Sequence, residues 1–192
     1  MDSVNAISEV LARMDEHDTA TRAMRALAAD IAKMAELVSD SLRAGHTLLV
    51  CGNGGSAADS QHLAAEIMGR FLKERSPWPA VSLTCDTSQL TAIGNDYGFE
   101  YVFARQIFAL GRGGGVLVAI STSGNSPNVL SAIEAAREVG MLVVGMTGAS
   151  GGKMAELCDV CLCAPSDSTP RIQECHGLAI HVVCGLVEDS LC

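Results

Sequence analysis

The chain has 192 residues, of which 48% are hydrophobic and 18% charged, and its formal net charge is -9. That composition excludes a disordered, charge-extended polymer and predicts one domain with a sizeable buried core. The acidic balance excludes nonspecific nucleic-acid binding, so any anionic substrate must be held by local dipoles and a few cations.

Residues 1 to about 44 read as helical. Val4, Ile7, Leu11 and Met14 form one apolar stripe. Met24, Leu27, Ile31, Met34 and Val38 form a second, stepping by three and four as a helix seam does against another helix of the same domain or of another subunit. Gly45 closes this segment. From Thr47 onward short apolar runs alternate with helical stretches, the pattern of βαβ units on a parallel sheet covered on both faces. Strands are predicted near Thr47–Cys51, Ala80–Thr84, Gly115–Ile120, Leu142–Met146 and Val160–Ala164. Helices are predicted over about 56–73, 89–95, 99–111, 127–139, 151–157 and 170–190. The fold class is therefore α/β, a three-layer αβα sandwich with a five-stranded parallel sheet and N-terminal helices.

No apolar run reaches the roughly 18 residues of a membrane span. The start, Met1-Asp2-Ser3-Val4-Asn5, lacks a basic region leading into an apolar signal segment. The expectation is a soluble, cytoplasmic protein with no membrane or nucleic-acid partner. Most of the eight cysteines sit in apolar segments and read as reduced core thiols. Cys158 and Cys161 form a Cys-x-x-Cys on a strand-like run, and no second pair stands at zinc-ribbon spacing.

Ligands on such sheets bind beyond the carboxyl ends of the strands. The loop after the first strand is Gly52-Asn53-Gly54-Gly55-Ser56. Its glycines let backbone N–H groups approach a ligand, and the next helix aims its positive end there. The loop after the third strand is Ser121-Thr122-Ser123-Gly124-Asn125-Ser126, with Pro127 opening a helix. Hydroxyls, amides and a helix dipole make a phosphate cradle, and the absence of a P-loop or full dinucleotide spacing favours a sugar phosphate. His62, Glu66 and Arg70 follow at four-residue steps and place an imidazole, a carboxylate and a guanidinium on successive helical turns. Gln173, Glu174, His176 and His181 punctuate the last helix. Gln173 and His181 are two turns apart, about 12 Å, so one small site can use both only through convergent side chains or a second subunit. Asn95 and Asp96 are read as turn residues near the same sheet edge, available to substrate hydroxyls.

Five ordered blocks, Cys51 to Ser56, His62-Leu63-Ala64-Ala65-Glu66, Gly94-Asn95-Asp96, Ser121 to Ser126, and Arg171-Ile172-Gln173-Glu174 followed by His181, resemble the sugar isomerase (SIS) domain family over nearly the whole chain. The resemblance implies a single SIS domain over 1–192, with 1–44 a helical extension packing in a homotetramer whose sites lie at subunit interfaces. It further implies that Asn53, Gly54, Gly55, Ser121, Thr122, Ser123 and Ser126 bind the sugar phosphate, helped by Asn95 and Asp96. Arg70 and Gln173 are expected to touch substrate as well. His62, Glu66, Gln173 and His181 match zinc ligands, one Zn2+ per subunit. The implied reaction is the aldose–ketose isomerisation of sedoheptulose 7-phosphate to D-glycero-D-manno-heptose 7-phosphate through an enediol, in bacterial heptose and lipopolysaccharide supply, with Glu66 and His181 as catalytic base and acid. Pro170 stands where some relatives carry an acidic residue. Two other readings are a noncatalytic SIS-fold regulator that binds a replication initiator protein, and an isomerase of another sugar phosphate.

Overall fold

The computed structural model describes residues 3–192, with side chains from Asn5 onward. Met1, Asp2 and the side chain of Val4 lie outside the described residues. The N-terminal segment comprises α1 (Ser3–Ala23), a 3-10 turn at Met24–Leu27 and α2 (Ala28–Arg43). The sheet region follows as β1 (Leu48–Gly52), α3 (Gly55–Met68), β2 (Ala80–Ser82), α4 (Thr87–Asp96), α5 (Ala104–Leu110), β3 (Val116–Ile120), α6 (Pro127–Glu138), β4 (Leu142–Thr147), β5 (Val160–Cys163) and α7 (Thr169–Leu191).

All five predicted strands form, paired in parallel in the order β2-β1-β3-β4-β5. The chain steps one way from β1 to β2 and the other way from β3 through β5, so the order reverses between β1 and β3. A ligand crevice opens at such a switch point. Alternation along each strand divides the core in two. Val50, Val118, Val144 and Leu162 face Met34 and Val38 of α2, Leu63 and Ile67 of α3, and Ile180 and Val183 of α7. Leu49, Cys51, Leu117 and Val143 face Ile107 of α5 and Val129 and Ile133 of α6. The central strands β1 and β3 are buried on both faces, which is why they read as unbroken apolar runs.

The two N-terminal stripes part company. Met24, Ile31, Met34 and Val38 are buried in the chain's own core, whereas Ile7, Val10, Leu11 and Met14 are each more than half exposed. Within 1–44, then, α2 belongs to this domain, and the first half of α1 is what projects an uncovered apolar face. No helix of the described residues is long and apolar enough to cross a membrane.

Four boundaries correct the sequence reading. The helix predicted to run to 73 stops at Met68, because the amides of Phe71, Leu72 and Lys73 donate to the Glu188 carboxylate at 2.8, 2.9 and 2.9 Å instead of to carbonyls four residues back. The predicted helix 99–111 is interrupted, a 3-10 turn at Phe99–Tyr101 preceding α5. The predicted helix 151–157 is only a 3-10 turn at Gly152–Met154, since Gly151 and Gly152 both adopt positive φ. Asn95 and Asp96 are the last residues of α4 and not a turn.

Candidate active site at the sheet's switch point

Strand β1 can pass into α3 only because position 52 has no side chain: a Cβ on Gly52 would meet the Ser56 carbonyl oxygen at 2.6 Å. Gly54 takes φ 56, and its carbonyl accepts from Ala57 and Ala58 at 3.0 and 3.2 Å. The Ser56, Ala57 and Ala58 amides are thus taken up by the Asn53 and Gly54 carbonyls, and the glycine turn carries the positive end of α3 to the crevice.

The loop after β3 faces this turn. Ser121 is buried, and its hydroxyl lies 2.9 Å from that of Ser126 and 3.4 Å from that of Ser123. Ser126 occupies the N-cap of α6, but its side chain makes no capping bond and is turned toward Ser121. Asn53, Gly54, Gly55, Ser121, Thr122, Ser126, Thr169 and Gln173 line a cleft of about 260 Å³ between the two loops. Ser123 lines an adjoining polar cleft of about 330 Å³ together with Thr122 and Thr169. The two loops are locked by a reciprocal amide pair. Asn53 Nδ2 donates to Asn128 Oδ1 and Asn128 Nδ2 to Asn53 Oδ1, both at 2.8 Å, with Asn128 buried. Asn53 therefore shapes the cradle through Asn128, a partner whose role was hidden in the sequence because nothing there reveals which loops meet.

A second cluster forms where α3 and α7 run side by side. His62 Nε2 is 3.1 Å from Glu66 Oε1 and 3.3 Å from His181 Nε2. The ligating atoms of His62, Glu66 and His181 all lie within 4.8 Å of one another, a group able to hold a metal ion. The imidazoles meet edge to face at 4.9 Å, and Phe71 stacks on His181 at 5.7 Å. Two imidazoles and a carboxylate are donors of the kind zinc accepts. Two ring nitrogens aimed at each other also leave room between them for one proton or one cation. Asp59, one turn before His62, is pushed above the usual carboxylate range by burial, opposed by His62.

The four expected zinc ligands are thus split. Gln173 packs against Gly55 in the cradle, two turns up α7 from His181, so within one chain it does not join the other three. Arg70 lies beyond the end of α3, is exposed and pairs with Glu74 at 3.6 Å, so it does not share a helical face with His62 and Glu66. Asn95 and Asp96 are exposed, hydrogen-bonded to each other at 2.8 Å, and absent from the cradle lining. His176, by contrast, is wholly buried. Its Nε2 is 3.1 Å from the Thr147 carbonyl, and desolvation lowers its pKa to about 4, a packing role.

Behind the cluster, Glu188 and Arg75 form an ion pair at 3.0 Å with side chains only 2% and 4% exposed. Arg75 also donates to the Glu66 carbonyl at 2.9 Å and stacks over Trp78 at 3.6 Å. Burial alone would raise the Glu188 pKa, but three backbone amides and Arg75 outweigh it and hold it at about 2. This unit fixes the loop that presents Phe71 to His181, and no local sequence signal announces it.

Residues 14–148 match the SIS domain family model. The chain is 64% identical over 162 residues to a phosphoheptose isomerase of Rhodospirillum rubrum, covering 84% of this chain and 86% of that protein. Among solved structures it resembles the phosphoheptose isomerase GmhA from Neisseria gonorrhoeae, with TM-score 0.92 and 47% identity over 96% of this chain and 99% of the other. A phosphoheptose isomerase from Francisella tularensis is similar at TM-score 0.90 and 38% identity, covering 98% and 100%.

Proposed function

The chain belongs to the SIS domain family, on its phosphoheptose isomerase branch, and from that membership we propose that it is an aldose–ketose isomerase acting on sedoheptulose 7-phosphate. The observation that carries the chemistry is the convergence of His62, Glu66 and His181 from two helices.

The substrate's anionic tail and its reacting carbons lie at opposite ends of a seven-carbon chain, so the enzyme needs a grip and a proton-transfer pair held apart. The Ser121, Thr122, Ser123 and Ser126 hydroxyls and the first turn of α3 grip the phosphate without taking part in bond making. Glu66 removes a proton from C1 of the ketose. His181 supplies the acid that completes the transfer as the enediol collapses to the C1 aldehyde with a proton returned to C2. Glu66 Oε1 faces His62, which leaves the other carboxylate oxygen for the carbon-bound proton. His62, Glu66 and His181 would hold zinc, which when bound supplies Lewis-acid polarisation of the substrate's carbonyl oxygen. Phe71 holds the His181 ring in place from behind.

Gln173 can complete the zinc set only from a neighbouring copy, and we read the active assembly as a homotetramer with sites at subunit interfaces. Two features support this reading. The His181 ring sits on the outer face of α7 between Leu178 and Val182, each about two-fifths exposed, and the α1 stripe Ile7, Val10, Leu11 and Met14 is also uncovered. Covering these faces would exclude water from the proton-transfer pair. Asn95, Asp96 and Arg70, remote from this chain's cradle, are placed by the same reading at a neighbour's substrate. The reaction belongs, on this account, to cytoplasmic supply of heptose for lipopolysaccharide.

The test is turnover of sedoheptulose 7-phosphate by the purified chain before chelation, after chelation and after zinc return. Formation of the aldose, lost on chelation and restored by zinc, supports the reading. Turnover of a hexose or aminosugar phosphate in its place would move the substrate class, and unchanged turnover in the stripped protein would remove zinc from the reaction.

A further inference from the structure

Cys158 and Cys161 lie away from the switch point, at the other end of the sheet, where the chain enters β5. Their surroundings bring the two sulfurs together. Cys161 pairs in register with Gly145 of β4, and a Cβ on Gly145 would meet Cys158 Sγ at 2.6 Å and Cys161 Sγ at 2.9 Å. The volume that any other residue would fill at position 145 is taken by both thiols at once. The segment is held at Asp159, between the two cysteines, and at Leu157, just before them. Asp159 N donates to the Val143 carbonyl at 2.8 Å, Val143 N donates to Asp159 Oδ2 at 2.7 Å, and Arg137 Nε donates to the Leu157 carbonyl at 2.9 Å. All three cysteines of this segment are free and partly accessible.

We propose that Cys158 and Cys161 are a site of reversible oxidation, forming an intramolecular disulfide by exchange with a small-molecule disulfide. In the first step the Cys158 thiolate attacks one sulfur of the small disulfide, breaking its S–S bond and releasing one thiolate. In the second, Cys161 gives its proton to solvent and its sulfur attacks Cys158 of the mixed disulfide, releasing the second thiolate. The protein loses two protons and two electrons, and the small disulfide, taking them up, becomes two thiols. Roles follow from the surroundings: the contact with Cys158 and burial both push the Cys161 thiol upward, which keeps it protonated until the mixed disulfide stands beside it. Cys163 shares a strand face with Cys161, but residues two apart on a strand stand about 6.6 Å apart, at the upper edge of the ~4.4–6.8 Å between Cα atoms that a disulfide spans, whereas the Cys158 and Cys161 sulfurs share the space over Gly145. Cys158 is the partner.

The experiment treats the reduced full chain with oxidised glutathione, blocks remaining thiols with iodoacetamide and maps the peptides by mass. The expected result is loss of two alkylatable thiols in the peptide holding Cys158 and Cys161, without a glutathione adduct and reversed by dithiothreitol. Cys85 and Cys192, both exposed, serve as internal controls that take glutathione. In Cys161→Ser, nearly isosteric, Cys158 should stop at the glutathione adduct. Continued alkylation of both Cys158 and Cys161 while the controls are consumed would overturn the proposal, as would a linkage of Cys161 to Cys163.

Discussion

The Nε2 atoms of His62 and His181 face one another at 3.3 Å although 119 residues separate them in the chain. Such a pair is comfortable only if one nitrogen carries a proton or if both turn their lone pairs to a cation, and Glu66 adds a carboxylate within 4.8 Å. Zinc titration of the chelated protein, followed by calorimetry, is therefore expected to show one site per subunit. His62→Ala should weaken it by more than the ~10–100-fold that loss of an outer hydrogen-bond partner costs. Equal affinity in the variant would mean that the metal sits elsewhere.

The cradle and the proton-transfer cluster are separable in this geometry. Asn128→Ala removes both bonds of the amide pair that locks the two loops. It should raise KM for the sugar phosphate roughly tenfold while changing kcat much less, and lower stability by about 1–3 kcal/mol for the amide left unpaired. Steady-state kinetics beside a thermal melt distinguishes this from a general loss of folded protein, which would lower kcat alone.

Glu188 makes stability pH-dependent in a defined window. Its folded pKa, about 2, lies below the ordinary 4.5, so its contribution is complete above about 4.5 and is lost as pH falls from there through 2. Removing one partner of so buried a pair costs about 3–5 kcal/mol. Glu188→Gln should accordingly melt much lower at neutral pH and lose the acid-dependent step between 4.5 and 2. Denaturant unfolding as a function of pH reads both effects.

His176 acts in the same direction at higher pH. Its folded pKa, about 4 against the usual 6.5, means the neutral ring is the folded form, so stability is full above 6.5 and declines as pH falls through 4. Replacement by Gln, which keeps a donor for the Thr147 carbonyl, should remove this upper part of the acid transition. An unchanged pH profile in His176→Gln would assign that step to another group.

The sheet was legible in the sequence because buried parallel strands are short apolar runs bounded by turns, and the two-loop cradle because glycines and hydroxyls stand where those strands end. The α2 seam was legible as a packing face, though not whose face it met. What local pattern could not reveal was competition from distant residues. Arg70 to Arg75 reads as continued helix, yet Glu188, more than a hundred residues later, takes the amides that such a helix would need. His176 and His181 look alike in sequence, but one is sealed against Thr147 and the other opens outward to meet His62. The split of Gln173 from His181 follows from helix rise alone. What that split means for the proposed site depends on where α3 lies.

The account rests on Glu66 as the base at C1. The direct measurement is exchange of the C1 hydrogens of sedoheptulose 7-phosphate with deuterated water, followed by NMR in the native chain and in Glu66→Gln. The account predicts exchange in the native protein and its loss, with a fall of about 10²–10⁴ in turnover, in a variant that still binds the sugar phosphate. Exchange that persists in Glu66→Gln would contradict it.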